Sequence, residues 1–367
     1  MLPAFGGACL TSIVPSLLSM TPADRSWMPQ PVHDARQVVL LVLDGLGWEQ
    51  LQDRAGVAPV LSSMEGMPIT SVAPTTTAAA LTSISTGLSP AQHGVVGYRV
   101  RVGAHDVLNV LRWRTAAGDA RGDVDPVSFQ PHPAFGATSP PVVTRAEFAS
   151  TGFTTAHLAG ARLHGWRLAS SLVVEVRALL RAGEPFVYAY YDGMDKVAHD
   201  RGFGEYYDAE LAAVDRLVGD LVAALPPGAS LVVTSDHGQV EVTGPGVALP
   251  PALAADVDLL SGEGRFRWLH ARPGTADRLA GAAADTFGDV AWVRTRDQLV
   301  DEGWFGGRPA PDVARRLGDV ALIPFEPIAF LDPADTGETR LVCRHGSMTS
   351  AEALVPLLVK AAPGGEG

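Results

Sequence analysis

The stretch that decides the fold is Gln37 to Gly47, which reads QVVLLVLDGLG. From Val38 to Leu43 every residue is valine or leucine, a pattern typical of a strand that is buried on both faces of a parallel sheet. The acidic residue Asp44 follows at once and precedes a glycine turn. The stretch therefore predicts a central strand that delivers a carboxylate to the edge of the sheet where it ends.

Two later stretches repeat this arrangement. Pro185 to Tyr191 reads PFVYAYY and leads to Asp195, and Ser230 to Thr234 reads SLVVT and leads to Asp236. Between them, Glu205 to Leu225 carries apolar residues at close to a helical period. Alternating strands and helices predict an α/β fold with a mostly parallel central sheet and helices on both faces. Sites in such sheets lie beyond the carboxyl ends of the strands, so we expect the acidic motifs to meet there.

Composition limits the function classes. The chain has 367 residues, 47% hydrophobic and 19% charged, which is enough for one large α/β domain or two smaller ones. A net charge of −12 argues against a nucleic-acid-binding surface, but bound metal ions would still let an acidic protein take phosphate esters. Two isolated cysteines, Cys9 and Cys343, argue against a disulfide framework and against a cysteine-based zinc site.

The N-terminal stretch lacks the basic residues of a secretory signal, and no apolar run is long enough to predict a membrane span. We therefore expect a cytoplasmic protein that does not associate with membranes. Two segments look like additions to the core. Residues 98–141, rich in Arg, Gly, Pro and Asp, predict a lid over the site, and residues 264–318 predict a small inserted α+β subdomain. The tail after Val359 reads KAAPGGEG and is expected to be disordered.

Several carboxylates and imidazoles fall near the ends of the predicted strands. Asp195 and His199 are four residues apart and would share a helical face, a spacing that favours Asp195 over Asp192, which is expected either to cap the helix or to support the ligands without binding the metal itself. Oxygen and nitrogen ligands without sulfur suit a hydrolytic zinc-type centre. The candidate metal ligands are Asp44, Asp195, His199, Asp236, His237 and His345.

A hydroxyl nucleophile is expected in Ser71 to Thr86, where Pro74 and the threonines begin a predicted helix. Free N–H groups at a helix start favour an anion. From the residues alone, Thr75, Thr76 and Thr77 remain alternatives.

Read together, these motifs resemble the alkaline phosphatase superfamily, most closely its nucleotide pyrophosphatase/phosphodiesterase branch. The matching strings are VVLLVLDGLG, PTTTAAALTSISTGLSPAQHG, Asp195-x-x-x-His199, Asp236-His237-Gly238, and His345-Gly346 ahead of Val355-Pro356-Leu357. The resemblance spans roughly Gln37 to Val359 and implies a single alkaline phosphatase-like catalytic domain over residues 1–367.

The resemblance also implies a site. One metal ion would take Asp44, Asp236 and His237, and the other would take Asp195, His199 and His345. Thr77 would lie between the ions as a ligand and as the nucleophile. Two divalent ions are implied, Zn²⁺ first, with Mn²⁺ or Fe as alternatives. The implied reaction is hydrolysis of a phosphodiester or pyrophosphate bond in a small, nucleotide-type phosphate ester, through a phosphothreonine intermediate.

One position departs from that branch, which carries an Asn three residues after the nucleophile, where this chain has Ala80. A backbone N–H, Thr75, Thr76 or Arg99 are the alternatives for the missing donor to a phosphate oxygen. Alanines at positions 78 to 80 add no charge beside the nucleophile, which favours diesters over monoesters.

Other functions stay open beside this one. A phosphomonoesterase, a phosphonate hydrolase or a sulfatase-like hydrolase could use the same site. A non-enzymatic, metal-stabilised binding domain is disfavoured by the intact threonines and the complete ligand set. A phosphomutase is disfavoured because it would carry a large inserted domain after the nucleophile, and the segment after Thr77 is too short for one by about 100 residues. The sequence leaves the oligomeric state undetermined.

Overall fold

The computed structural model describes residues 1–19, 25–335, 337 and 340–363. Its β-strands form one large sheet and three small ones. The strands are β1 Gln37–Leu43, β2 Glu65–Thr70, β3 Arg99–Val102, β4 Asp106–Asn109, β5 Arg114–Thr115, β6 Gly118–Asp119, β7 Pro141–Arg145, β8 Arg162–Trp166, β9 Phe186–Tyr191, β10 Ala229–Thr234, β11 Val240–Glu241, β12 Val257–Glu263, β13 Phe266–Ala271, β14 Ala291–Thr295, β15 Val320–Pro324, β16 Cys343–Arg344 and β17 Leu354–Ala361.

Helices alternate with these strands, and short 3₁₀ turns lie at Gln30–Val32 and Ala146–Phe148. None of the described helices combines the length and the apolar character that a membrane crossing needs. The α-helices are α1 Leu10–Leu18, α2 Trp48–Asp53, α3 Pro59–Ser62, α4 Thr77–Thr86, α5 Pro90–His93, α6 Pro126–Phe129, α7 Gly152–His157, α8 Ala169–Arg181, α9 Gly193–Arg201, α10 Glu205–Ala224, α11 Pro251–Ala254, α12 Ala276–Phe287, α13 Arg296–Asp301, α14 Pro311–Ala314 and α15 Ser350–Ala353.

The central sheet has the order β2-β17-β10-β1-β9-β7-β8. Strands β10, β1, β9, β7 and β8 run parallel to one another, whereas β17 is antiparallel to both β10 and β2. The predicted α/β fold with a mostly parallel sheet is therefore confirmed. Val42 pairs with Tyr190 on one side and with Thr234 on the other, so the three central strands end level with one another.

The residues of β1 alternate between the two faces of the sheet. Val39, Leu41 and Leu43 belong to the core that also holds apolar residues of α8 and α10, including Leu172, Val176, Leu211 and Val214. Val38, Leu40 and Val42 belong to the opposite core, with apolar residues of α1 and α4. Helices therefore cover both faces, which explains the uninterrupted apolar run of this strand.

A second sheet, of order β12-β13-β15-β14, is antiparallel throughout and packs against α12. We expected this inserted unit over residues 264–318, but its sheet begins at Val257 and ends at Pro324. Strand β12 reads VDLLSGE, and its polar residues and glycine interrupt the apolar pattern that would have marked it as a strand.

The segment over residues 98–141 forms the small antiparallel sheet β3-β4-β5-β6 and helix α6. It ends where β7 joins the central sheet, because Pro141 already pairs with Arg162. Its role as a lid stays a prediction. At the C-terminus, Lys360 and Ala361 pair with Leu231 and Ser230 as part of β17, so the tail is ordered further than expected, and residues 364–367 lie outside the described residues.

Candidate metal centre

The acidic motifs that follow β1, β9 and β10 meet at one edge of the central sheet. The backbone N–H of Asp195 donates to the carbonyl oxygen of Asp44 at 3.0 Å. The backbone N–H of Gly45 donates to Asp236 Oδ1 at 3.1 Å. The level ends of the parallel strands thus bring the three carboxylates together, as the sequence predicts.

Gly45 allows this close approach. Its φ of +78° lies in the left-handed region, and a Cβ at this position would stand 2.8 Å from Asp195 Cα and 2.5 Å from Gln239 Nε2. Glycine adopts this left-handed conformation readily, and it has no Cβ to collide with these neighbours. The glycine after Asp44 is therefore required by the packing of β1 against the Asp195 turn.

Asp195, His199 and His345 form the first group of ligand atoms, all within 4.8 Å of one another. Asp195 Oδ1 lies 3.2 Å from His199 Nε2 and 3.8 Å from His345 Nε2. The Nδ1 atoms of the two imidazoles donate to backbone carbonyls, His199 to Cys343 at 2.7 Å and His345 to Thr75 at 2.9 Å. A carbonyl can only accept, so both Nδ1 atoms carry a hydrogen and both Nε2 atoms are turned toward Asp195, the orientation found in metal-binding histidines.

A second group surrounds His237. Its Nδ1 donates to the carbonyl of Gly238 at 3.1 Å, and its Nε2 lies 3.3 Å from Asp236 Oδ2 and 3.6 Å from Asp44 Oδ1. Both of these carboxylate oxygens are buried and have no hydrogen-bond partner among the described residues. Buried, unpartnered carboxylate oxygens are costly unless a cation binds them, so this group fits a metal ion.

The two groups are adjacent. The rings of His237 and His345 stack with their centroids 3.6 Å apart. Asp195 also lies within 4.8 Å of the ligand atoms of Asp44 and His237, so it stands closer to the second group than the resemblance implies. The structure brings all six predicted ligands into one cluster, and their division between two ions stays a prediction.

The electrostatics of the cluster also favour cations. Burial raises the pKa of Asp44, and the neighbouring carboxylates of Asp236 and Asp195 raise it further. Burial also opposes ionisation of Asp195, but His199 and His345 outweigh it and lower the pKa of that carboxyl. Burial and the neighbouring His237 lower the pKa of His345, so its imidazole stays neutral and able to ligate.

Thr77 is the first residue of α4, and its Oγ1 lies 3.1 Å from His237 Nε2. Because His237 carries its hydrogen on Nδ1, the threonine hydroxyl donates to Nε2 and points into the cluster. Thr75 is engaged elsewhere, since its hydroxyl donates to the Ser347 carbonyl at 2.7 Å and accepts from the Gly346 N–H at 3.0 Å. Among the three threonines, Thr77 is therefore the one whose hydroxyl contacts a predicted ligand.

Sequence reasoning missed two residues that hold the ligands. The phenolic hydroxyl of Tyr190 donates to Asp44 Oδ2, and Gln239 Nε2 donates to Asp195 Oδ1 at 2.9 Å. Tyr190 lies in an apolar strand and looks like a packing residue. The position of Gln239 directly after Asp236-His237-Gly238 is the only signal that could have found it.

Asp192 stands outside the cluster of ligands. It occupies the N-cap position of α9 without a side-chain capping hydrogen bond. Its carboxylate instead pairs with Arg145 at 2.7 Å and with Lys196 at 2.5 Å. The preference for Asp195 over Asp192 as the ligand agrees with this geometry, and of the two roles expected for Asp192, the capping bond is missing.

Two cavities open beside Thr77 and Asp195. The larger, of about 520 Å³, has aromatic walls that include Phe148, Phe153 and Tyr188. The smaller, of about 250 Å³, is lined by His199, His345 and Arg344 among others. Leu111 and Arg112, from the loop between β4 and β5, line both cavities.

Comparison with known proteins places these features in a family. The sequence profile of the type I phosphodiesterase / nucleotide pyrophosphatase family matches residues 38–166 and 162–348. No curated protein sequence matches the chain.

Solved structures give the same fold. Murine ectonucleotide pyrophosphatase / phosphodiesterase 5 superposes with a TM-score of 0.64 at 17% identity, covering 88% of this chain and 87% of that one. Two further structures match with a TM-score of 0.64 at 16% identity and the same coverage. They are an inactive form of the murine protein in complex with AMP and human ectonucleotide pyrophosphatase / phosphodiesterase 5.

Proposed function

Because the chain belongs to the type I phosphodiesterase / nucleotide pyrophosphatase family, we propose that it hydrolyses phosphodiester or pyrophosphate bonds at Thr77 with the help of two divalent metal ions. The chain is an enzyme of the phosphodiesterase and pyrophosphatase type. Beyond this family activity, the proposal adds that two metal ions are bound and that a covalent intermediate forms on Thr77.

The contact between Thr77 and His237 carries the proposal. Thr77 Oγ1 lies 3.1 Å from His237 Nε2, at the N-terminal end of α4 and against the cluster of carboxylates and imidazoles. A hydroxyl becomes a useful nucleophile only where its proton is easily lost and the resulting anion is stabilised. The N-terminus of a helix and a metal cluster both stabilise an anion, so this position suits a nucleophilic threonine better than a structural one.

The residues of the cluster fit divalent cations. Three carboxylates and three imidazoles without sulfur suit Zn²⁺, and Mn²⁺ or Fe would fit the same donors. Burial raises the pKa of the nearby Cys343 thiol to about 12, so this cysteine stays protonated and only its carbonyl takes part, as the partner of His199. When bound, such ions lower the pKa of a hydroxyl or of water and neutralise charge on phosphoryl oxygens.

The bond changes follow from the position of Thr77. Its Oγ1 forms a bond to phosphorus while the bond from phosphorus to the leaving oxygen breaks, which releases an alcohol or a phosphate and leaves a phosphothreonine that still carries the other substituent of the substrate. Water then attacks the same phosphorus, and the bond to Oγ1 breaks, which restores the Thr77 hydroxyl and releases the remaining phosphate monoester. The helix start holds the hydroxyl in place in both steps, so its contribution is orientation.

The surroundings of Thr77 favour a diester substrate. The cavity of about 520 Å³ gives room for an organic substituent, and its aromatic walls suit a planar group such as a nucleobase. Ala78, Ala79 and Ala80, which follow the nucleophile, are buried and bring no charge. The AMP complex of the murine relative supports a nucleotide-type substrate.

Hydrolysis of bis-(p-nitrophenyl) phosphate, compared with p-nitrophenyl phosphate, tests this function. We expect a higher kcat/KM for the diester and loss of both activities after treatment with a chelator, with recovery when Zn²⁺ or Mn²⁺ is added. A hundredfold preference for the monoester, about 2.7 kcal/mol in transition-state terms, would instead assign a phosphomonoesterase. Full activity in the chelated protein would contradict the metal-dependent reaction.

A further inference from the structure

The residues shared by the two cavities mark where phosphorus must sit. Thr77 and Asp195 line both cavities, and so do Leu111 and Arg112. A diester that is attacked by Thr77 has its phosphorus next to that hydroxyl, with its substituents in the cavities on either side. A long side chain that lines both cavities is therefore placed to reach the phosphoryl group from either of them. Arg112 is the cation in that position.

The loop that carries Arg112 is fixed on both sides. The backbone N–H of Arg112 donates to Asn109 Oδ1 at 3.0 Å, and Asn109 Nδ2 donates to the Tyr98 hydroxyl at 2.6 Å. The next residue, Trp113, is buried, and its indole N–H donates to the carbonyl of Val124 at 2.7 Å. The backbone of Arg112 is thus held while its long side chain stays free to reach a ligand.

Two other arginines of the same segment are engaged. Arg99, one of the alternatives from the sequence, forms a short ion pair with Asp332, and the Arg101 guanidinium donates to the carbonyls of Gly103 and Ala104. Within the described part of the chain, the Arg112 guanidinium has neither a hydrogen bond nor an ion pair. Its side chain is therefore available to a substrate without breaking a contact of the protein.

The residues after the nucleophile create a need for such a donor. Positions 78 to 80 are alanines, whose side chains donate no hydrogen bond, and the Thr75 hydroxyl already donates to Ser347. Charge builds up on the non-bridging oxygens during phosphoryl transfer, and the planar fork of an arginine binds two such oxygens at once.

We propose that Arg112 is a catalytic residue that binds the non-bridging oxygens of the phosphoryl group attacked by Thr77. This inference rests on the proposed function and adds to it the side chain that neutralises the phosphoryl group. Arg112 comes from the segment over residues 98–141 rather than from the sheet edge, so that segment would contribute directly to phosphate binding. If the Arg112 side chain were dispensable, its truncation to alanine would change neither catalysis nor phosphate binding.

The variants Arg112→Ala and Arg112→Lys test this role, with Arg114→Ala as the matched control. Arg114 is an exposed arginine of the same segment that lines neither cavity. We expect Arg112→Ala to lower kcat/KM for bis-(p-nitrophenyl) phosphate by about 10² to 10³, with partial activity in Arg112→Lys and no change in Arg114→Ala. Added guanidinium should restore part of the activity of Arg112→Ala and should not raise the activity of the wild type or of Arg114→Ala.

Binding of inorganic phosphate, measured by calorimetry on the metal-loaded protein, gives a readout without turnover. Arg112→Ala should bind phosphate about tenfold more weakly than the wild type, and Arg114→Ala should bind it equally well. Equal phosphate affinity in Arg112→Ala and the wild type would overturn the assignment of Arg112, whether or not the diester is cleaved. A wild type that binds phosphate through Arg112 but cleaves no diester would instead support Arg112 and contradict the proposed function.

Discussion

Glu352 accepts two hydrogen bonds from Arg265, from Nε at 2.7 Å and from Nη2 at 2.8 Å, and neither side chain is exposed to solvent. The same carboxylate accepts from the backbone N–H of Ser347 at 3.0 Å, and the carbonyl of Glu352 accepts from the N–H of Gly238 at 2.9 Å. Ser347 and Gly238 each lie within two residues of a predicted metal-ligating histidine. The inserted sheet thus supports the metal centre through one buried ion pair.

Glu352→Ala should destabilise the protein strongly, because it leaves the Arg265 guanidinium buried without its partner. We expect a loss of about 3–5 kcal/mol in the free energy of unfolding, measured by urea denaturation. The double variant Arg265→Met/Glu352→Leu removes both charges and should be more stable than Glu352→Ala. Equal stability of the wild type and Glu352→Ala would contradict a structural role for the pair.

Asp195 and Asp236 should differ in their effect on metal content. Asp195 Oδ1 lies against the two histidines of the first group, and its ligand atom also lies close to those of Asp44 and His237. We expect about two transition-metal ions per wild-type chain by elemental analysis. Asp195→Ala should lose most of both ions, whereas Asp236→Ala should lose about one.

The wild type is the reference for that comparison, and all three proteins are purified in the same way. Retention of both ions in Asp195→Ala would show that Asp195 binds neither. Equal losses in the two variants would contradict the shared position of Asp195.

His93 should make the stability of the protein depend on pH. Burial lowers the pKa of His93 to about 3, assisted by the charges of His132 and Arg316. The Val95 N–H donates to Nδ1 at 3.1 Å, and Nε2 lies 2.9 Å from the Ser83 hydroxyl, so the folded protein holds the neutral imidazole. The unfolded chain binds a proton at this histidine below its ordinary pKa of about 6.5. The contribution of neutral His93 to the stability is therefore fully present above that pH, and it is lost as the pH drops toward 3.

His93→Asn removes this titration and should flatten the dependence. Between pH 6 and pH 4.5, the free energy of unfolding of the wild type should fall more steeply than that of the variant, by up to about 1.4 kcal/mol per pH unit. Urea denaturation across this range measures both slopes, and the other buried histidines are common to both proteins. Parallel slopes would show that His93 is not kept neutral by the fold.

The sequence predicted those parts of the fold and site that depend on local patterns. The apolar run from Val38 to Leu43 marks a strand that is covered on both faces, and the carboxylates after such strands meet because parallel strands end at one edge. Strand β12 was missed because Ser261 and Gly262 interrupt its apolar pattern.

The residues that hold the ligands could not be predicted, because their roles depend on contacts between distant parts of the chain. Tyr190 contacts Asp44 from a neighbouring strand, and Arg265 contacts Glu352 across a separation of 87 residues. Nothing in the local sequence of either residue marks such a contact. Arg112 was one of several arginines in its segment, and only the position of its loop between the two cavities distinguishes it.

Thr77 should be essential for turnover and Thr76 should not. The Thr77 hydroxyl contacts His237, whereas Thr76 is the N-cap residue of α4 and makes no side-chain capping bond. Thr77→Ala should remove nearly all diesterase activity while the metal content and the fold are retained. Thr77→Ser keeps the hydroxyl and should keep measurable activity, and Thr76→Ala serves as the adjacent control. An inactive Thr76→Ala beside an active Thr77→Ala would place the nucleophile one residue earlier.

The most direct measurement is the position of the phosphoryl group in protein that is quenched with acid during turnover of a diester. Mass spectrometry of its peptides should find, at Thr77, a phosphoryl group that still carries one ester substituent of the diester, because attack by Oγ1 displaces only the other substituent. Phosphorylation at Thr76, or turnover in which the peptide containing residues 75–77 never carries phosphate under conditions that trap the intermediate, would contradict the account.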